Sequence, residues 1–210
     1  MRTIRLDQRA LFTLALSVVI LTGCARSPSS KFYQLNPVQT KTSITRDVSP
    51  DQSQVIAIGP VRIPDYLDQR QIVTRSGKNE LRFSEFDRWA GSLEGDVVRV
   101  LVENISDLLP ADQFSVTRWS PYSENRAPSA YRVEVRVDRF EGTLGGSVSL
   151  RAQWGLYTKD NGLLQKRESI INEHANDSSY GALVGAMSSA LERMSRDIAD
   201  GIRSTVPESK

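Results

Sequence analysis

"YRVEVRVDRFEG", residues 131 to 142, decides what kind of fold this chain builds. Polar and apolar side chains alternate along it, and two residues is the side-chain period of a strand. Tyr131, Val133, Val135, Val137 and Arg139 therefore take one face, and Arg132, Glu134, Arg136, Asp138 and Phe140 take the other. One apolar and one charged face predict a half-buried antiparallel strand.

Working outward, "GSVSLRAQWGLYTKDNGLLQKRESIINEHAN", residues 146 to 176, supplies two more strands joined at Asp160, Asn161 and Gly162, where Asn followed by Gly suits a type I′ hairpin. Upstream, "FSVTRW", Phe114 to Trp119, is a strand followed by the turn-rich loop "SPYSENRAPSA". "RQIVTRSGKNELRFSEF", Arg70 to Phe86, reads as a hairpin around Ser76 to Asn79. In "VIAIGPVRI", Val55 to Ile63, Gly59 and Pro60 mark a bulge or an edge position.

Two segments switch to the helical period. Asp87 to Leu109 carries Leu93, Val97, Val100, Leu101, Asn104, Ile105 and Leu108 on one face, with Pro110 beyond its end. Ser179 to Ser204 carries Leu183, Met187, Leu191, Met194, Ile198 and Ile202. Asn104, the polar member of the first stripe, needs a partner if it is buried. Strands, helix, strands, helix, with hairpins instead of regular βαβ units, predict an α/β fold of α+β character: a mixed, largely antiparallel sheet packed with two main helices.

The first residues are of another kind. Arg2, Arg5 and Arg9 precede an apolar stretch, Ala10 to Leu21, whose 12 residues would cover about 18 Å as a helix, short of a ~30 Å hydrocarbon core. That is the pattern of a signal peptide. Leu21, Thr22, Gly23 and Cys24 resemble a bacterial lipobox, which implies cleavage before Cys24 and attachment of diacylglycerol and an N-acyl chain to it. Ala25, where sorting to the inner membrane would have aspartate, implies transfer to the outer membrane. A single acyl chain anchors only marginally, and three exceed the requirement.

The chain thus divides into a cleaved signal peptide (1–23), an anchor and tether (24–54) with a short strand near 31–35 in "KFYQL", and one globular α/β domain (55–210). If flexible, Asn36 to Gln54 would reach about 24 Å. Removing Arg2, Arg5, Arg9 and Asp7 from 27 basic and 25 acidic residues leaves 24 of each. A neutral domain offers no electrostatic case for nucleic acid. With Cys24 the only cysteine, no disulfide is available to the fold.

Catalytic patterns are missing. His174 is the only histidine and lacks the second histidine that a zincin helix needs, so no metal is expected. No nucleophile elbow occurs. "EGTLGGS", Glu141 to Ser147, lacks a P-loop lysine and reads as a turn, while Asp65, Asp68, Glu85 and Asp87 lie near arginines and read as ion-paired. A catalytic role is not expected, and no cofactor beyond the acyl groups on Cys24.

Two features point to contacts. Trp119, Tyr122 and Arg126 are of the types that dominate interface energetics, although Trp119 also suits the cover of a sheet edge. Gly181, Gly185, Ser188 and Ser189 form a small-residue strip that permits close approach, most simply inside the monomer.

"IGPVRIPDYLDQRQIVTR", Ile58 to Arg75, and "NELRFSEFDRWAGSL", Asn79 to Leu93, resemble the PqiC and YmbA family of ABC-type transport auxiliary lipoproteins, with the likeness continuing through "VVRVLVENISDLLP" and starting at "FYQL". The resemblance implies a fold akin to the anticodon-binding-like and TolB amino-terminal folds. It implies an outer-membrane component of an intermembrane lipid transport system, docking a periplasmic MCE-domain protein, and a ring-shaped homo-oligomer. Tyr66, Leu67, Arg70 and Arg75 are expected at a shared interface, the alternative being that "PDYLDQ" is a turn capping the sheet. A pilotin-like secretion lipoprotein and a lipid-anchored hydrolase are the competing readings.

Overall fold

β6 (Tyr131–Gly142) is the strand on which everything else is hung. The computed structural model describes residues 28–37, 53–121 and 130–207. Among these, the order is β1 (Lys31–Tyr33), β2 (Gln54–Arg62), β3 (Gln71–Arg75), β4 (Leu81–Trp89), α1 (Leu93–Leu108), β5 (Phe114–Arg118), β6, β7 (Ser147–Thr158), β8 (Leu163–His174) and α2 (Tyr180–Thr205). Along one edge of β6 runs the antiparallel meander β6, β7 and β8. The other edge is shared: β2 pairs parallel with its first half, and β3 meets it at its far end, Thr74 opposite Gly142. Beyond β2 lies β5, and beyond β3 lie β4 and then β1. The sheet is mixed, with its longest ladders antiparallel, and two helices pack on it, as the sequence pattern predicts.

The alternation in β6 holds only to Val137. There the pairing with β7 slips, Val137 opposite Ala152 but Arg139 opposite Arg151, so Asp138 is an inserted residue. A bulge of one residue reverses the parity of the residues beyond it. Phe140 consequently joins Val133, Val135 and Val137 in the core with no exposure, whereas Arg139 turns out to solvent, the reverse of the uninterrupted pattern. A second slip, between Ile58 and Val61 in β2, falls at Gly59 and Pro60 as expected.

Both helices cover one face of the sheet. α1 starts at Leu93, not Asp87, because β4 continues to Trp89 and Ser92 then caps the helix, its Oγ accepting the Gly95 N–H at 3.2 Å. α2 is capped in the same way by Ser179, which accepts from Ala182 at 3.1 Å. Between the helices Asn104 has the partner its burial demands, donating to Ser195 Oγ at 3.3 Å. All six apolar residues of the expected α2 stripe are buried.

The folded unit begins well before residue 55. β1 pairs with β4, Tyr33 opposite Trp89, and Leu35 just beyond it is completely buried. Asp96 of α1 takes the Leu35 N–H on Oδ2 and Gln34 Nε2 on Oδ1, and Asn36 N–H reaches Ser188 Oγ on α2 at 3.1 Å. "KFYQL" is thus part of the sheet and core, because an alternating segment lying next to an open sheet edge buries more by docking than by staying in a tether.

Candidate functional site

Strand directions give the sheet two distinct ends. Tyr131 of β6 lies opposite Thr158 of β7, so one end carries the β7–β8 hairpin tip; Gly142 lies opposite Val148, so the other carries the β6–β7 turn. β3 runs toward the Gly142 end, β4 runs back from it, and β1 is parallel to β4. The residues leading into Lys31 therefore arrive from the Gly142 end. The β7–β8 hairpin tip lies toward the other end of the sheet.

At the hairpin end, Arg132 is the organising side chain. Its guanidinium lies 5.9 Å from the Trp119 ring centre and 5.8 Å from that of Tyr157, bridging two half-buried aromatics. Nη2 also donates to Glu134 Oε1 at 2.7 Å and to Asn161 Oδ1 at 2.8 Å. Asn161 has φ 64° but Gly162 does not have a positive φ, so the hairpin falls where expected without the expected type I′ turn: the Asn161 N–H closes on Thr158 O at 3.0 Å, and the Asn161 carboxamide is held by Arg132. Past it Leu163 and Leu164 are 55% and 43% exposed. A cleft of about 440 Å³ opens nearby, lined by Ile58, Gly59, Val61, Val98, Trp119 and Pro121 among others. Gly59 has φ 128°, and a Cβ there would stand 3.2 Å from Trp119 Cβ.

Trp119 donates its backbone N–H to Ile58 O at 2.9 Å, extending the β5 pairing along β2, and its ring faces the Arg132 guanidinium. Tyr122 and Arg126 lie outside the described residues, as do Cys24 and Ala25. Arg132 was legible in the sequence only as a residue facing away from the core. Its stacking needs the β5 end and β7 brought together across β2 and β6, which no local pattern announces.

The motif residues of the opposite corner do not form a free surface. Leu67 is 2% exposed and belongs to the core. Tyr66 donates to Glu141 Oε2 at 2.8 Å, and Arg75 donates to Oε1 of the same residue through Nε at 3.0 Å and Nη2 at 2.8 Å. The Glu141 side chain is only 1% exposed. Burial, and then the hydrogen bond to Glu141, push the Tyr66 hydroxyl well above its ordinary value. The buried Glu141 carboxylate accounts within the monomer for the placement of both Tyr66 and Arg75, which were expected at a shared interface. "PDYLDQ" is the capping turn, Leu67 and Asp68 N–H both bonding to Pro64 O. Arg70 alone of the four is exposed.

On α2, Gly181, Gly185 and Ser189 face outward, and a Cβ on Gly185 would meet nothing within 4 Å, so packing inside the monomer does not explain the strip. Among the described residues no group of three or more His, Cys, Asp or Glu side chains is placed to hold a metal ion, and no helix is long and apolar enough to cross a membrane. His174 closes β8 in an exposed position opposite Ser147.

Comparison with known proteins agrees with this anatomy. The chain is 24% identical over 191 residues to the intermembrane transport lipoprotein PqiC of Escherichia coli, covering 90% of this chain and 96% of that one, and matches the Shigella flexneri protein of the same name equally. Its fold is that of an uncharacterised protein of known crystal structure (TM-score 0.67, 21% identity, 83% of this chain and 99% of that one). A Xanthomonas campestris protein shares it as well (TM-score 0.62, 17% identity, 81% and 93%). The model of the ABC-type transport auxiliary lipoprotein component matches residues 33–199, from the end of the docked strand β1 to the last turns of α2. The chain belongs to this family of transport-system lipoproteins.

Proposed function

We propose that the protein is the outer-membrane lipoprotein of an MCE-type intermembrane lipid transport system, held by acyl chains on Cys24 and receiving the periplasmic end of the transport tube. Ala25 directs it to the outer membrane in this reading. The observation that carries it is the polarity of the sheet: β1 runs in from the Gly142 side, while Trp119, Arg132, Tyr157, Leu163 and Leu164 lie toward the opposite end. A lipoprotein with exposed leucines beside an ordered aromatic and arginine stack on its membrane-distal end suits docking of a protein arriving from the periplasm. Its work is positional, to fix where the tube ends, so that lipid crosses only a short shielded gap.

Photocrosslinking from positions 163 and 119 in intact cells tests this. Adducts with an MCE-domain protein are expected from both, and adducts from neither would remove the docking model.

A further inference from the structure

The most exposed apolar aromatics of the described residues lie at the end where the anchor enters. Phe32 is 65% exposed and Phe83 is 47% exposed. Register places them on one face: Phe32 is opposite Arg88, Arg88 opposite Gln71, and Phe83 opposite Val73, two residues along β3 from Gln71. Residues directly opposite, and residues two apart, point the same way. Between them β4 bulges at Ser84–Asp87, the Ser84 hydroxyl accepting the Asp87 N–H at 3.0 Å and donating to Asp87 Oδ2 at 3.1 Å. That bulge draws Phe83 back to within two rungs of Phe32 on the neighbouring strand.

The length of chain ahead of this face says what meets it. Phe32 follows Cys24 by eight positions, a typical reach of about 16 Å for a flexible segment and about 28 Å fully extended. A domain of this size is roughly 40 Å across, so the tether is too short to let it turn its β1 edge away from the bilayer for long. Resting on the lipoprotein reading above, we infer that Phe32 and Phe83 make a second, non-covalent membrane contact, seated in the interfacial region of the leaflet that holds the Cys24 acyl chains. Arg88, directly opposite Phe32, shares this face, whereas Lys31 and Arg82, each one residue away along its strand, point to the other. The contact orients the domain with its β7–β8 hairpin away from the bilayer.

The test uses the mature acylated protein in vesicles of phosphatidylethanolamine and phosphatidylglycerol carrying brominated acyl chains, which quench tryptophan on contact. Phe32→Trp is compared with Leu163→Trp, each above the constant background of the native tryptophans. The expected result is loss of at least half of the added emission for Phe32→Trp and under a tenth for Leu163→Trp, with the Phe32→Trp quenching halved by a further Phe83→Ser change. Equal quenching at both positions overturns the inference. So does shielding of Phe32→Trp from aqueous iodide that persists in detergent or rises with protein concentration, because the face is then covered by another segment or a second copy. Vesicle flotation is read in parallel: protein that fails to float refutes the anchor itself, whereas floating protein with an unquenched Phe32→Trp refutes only the second contact.

Discussion

Arg75 on β3 and Glu141 on β6 are joined by two hydrogen bonds, Nε and Nη2 to Oε1 at 3.0 and 2.8 Å, at the one place where the two parts of the sheet meet. The ladder between β3 and β6 is a single residue pair, Thr74 with Gly142. Side chains therefore hold a junction that main-chain pairing hardly supports. Thr143 Oγ1 adds a bond to Arg75 O at 3.1 Å.

Replacing Glu141 by glutamine leaves Arg75 without its counter-charge and turns one of the two oxygens that serve Arg75 and Tyr66 into an amide donor. Glu141→Gln should lower unfolding stability by about 3 kcal/mol, in the range for breaking a buried ion pair from one side. Arg70→Ala, directly after the turn and exposed, should stay within about 0.5 kcal/mol. Urea unfolding of the two variants checks the contrast.

Alkaline stability should carry two tyrosines. Burial, and then the Asp87 carboxylate that accepts the Tyr33 hydroxyl at 2.7 Å, push Tyr33 up to about 12, and Tyr66 is raised for like reasons beside Glu141. The folded state keeps these protons where the unfolded chain gives them up, so stability is fully present below the ordinary tyrosine value near 10 and falls as pH rises toward 12. Denaturant midpoints measured from pH 8 to 12 should decline, and the decline should shrink in Tyr33→Phe.

Docking of the anchor segment predicts a cost for its buried residue. Leu35→Ala empties a fully buried site between β1 and the helices and should destabilise the whole domain by about 2 to 5 kcal/mol. A segment that is merely a tether would show no change, and thermal or urea unfolding distinguishes the two.

Two glycines of one helix should respond oppositely. A Cβ on Gly201 would sit 2.4 Å from Trp154 Cη2, inside the ring that α2 lies upon, so Gly201→Ala should cost about 1 to 3 kcal/mol. Gly185 meets nothing within 4 Å, and Gly185→Ala should stabilise by up to about 1 kcal/mol through helix propensity. Melting temperatures moving apart in the two variants would confirm that the outward strip is free.

Polar replacement of the distal leucines should separate stability from function. Leu163→Ser with Leu164→Ser removes exposed apolar area and should leave unfolding within about 0.5 kcal/mol of the parent. On the docking proposed above, capture of an MCE-domain protein by the purified lipoprotein should weaken at least tenfold, and unchanged capture would refute docking at these leucines.

How far the sequence could be read depends on the range of each interaction. The helical stripes, the Asn161–Gly162 hairpin and the Gly59–Pro60 slip were legible because each rests on a local periodicity or on a turn that few residues tolerate. The orientation of Phe140 was not, since one inserted residue at Asp138 leaves no mark in composition yet turns every later side chain over. Nor was the role of Tyr66 and Arg75, whose acceptor stands 75 and 66 residues away.

The sequence by itself determined that this is a neutral α/β domain of two helices on a mixed sheet, preceded by a stretch that resembles a lipoprotein signal, because period and composition are properties of short segments. Tertiary structure alone decided that Lys31–Tyr33 belongs to the sheet, that Glu141 and not solvent receives Tyr66 and Arg75, and that β1 runs in from the end of the sheet opposite the β7–β8 hairpin. Those outcomes depend on which strands pair and in which direction. Pairing is settled by the burial of whole faces at once, which no window of residues contains.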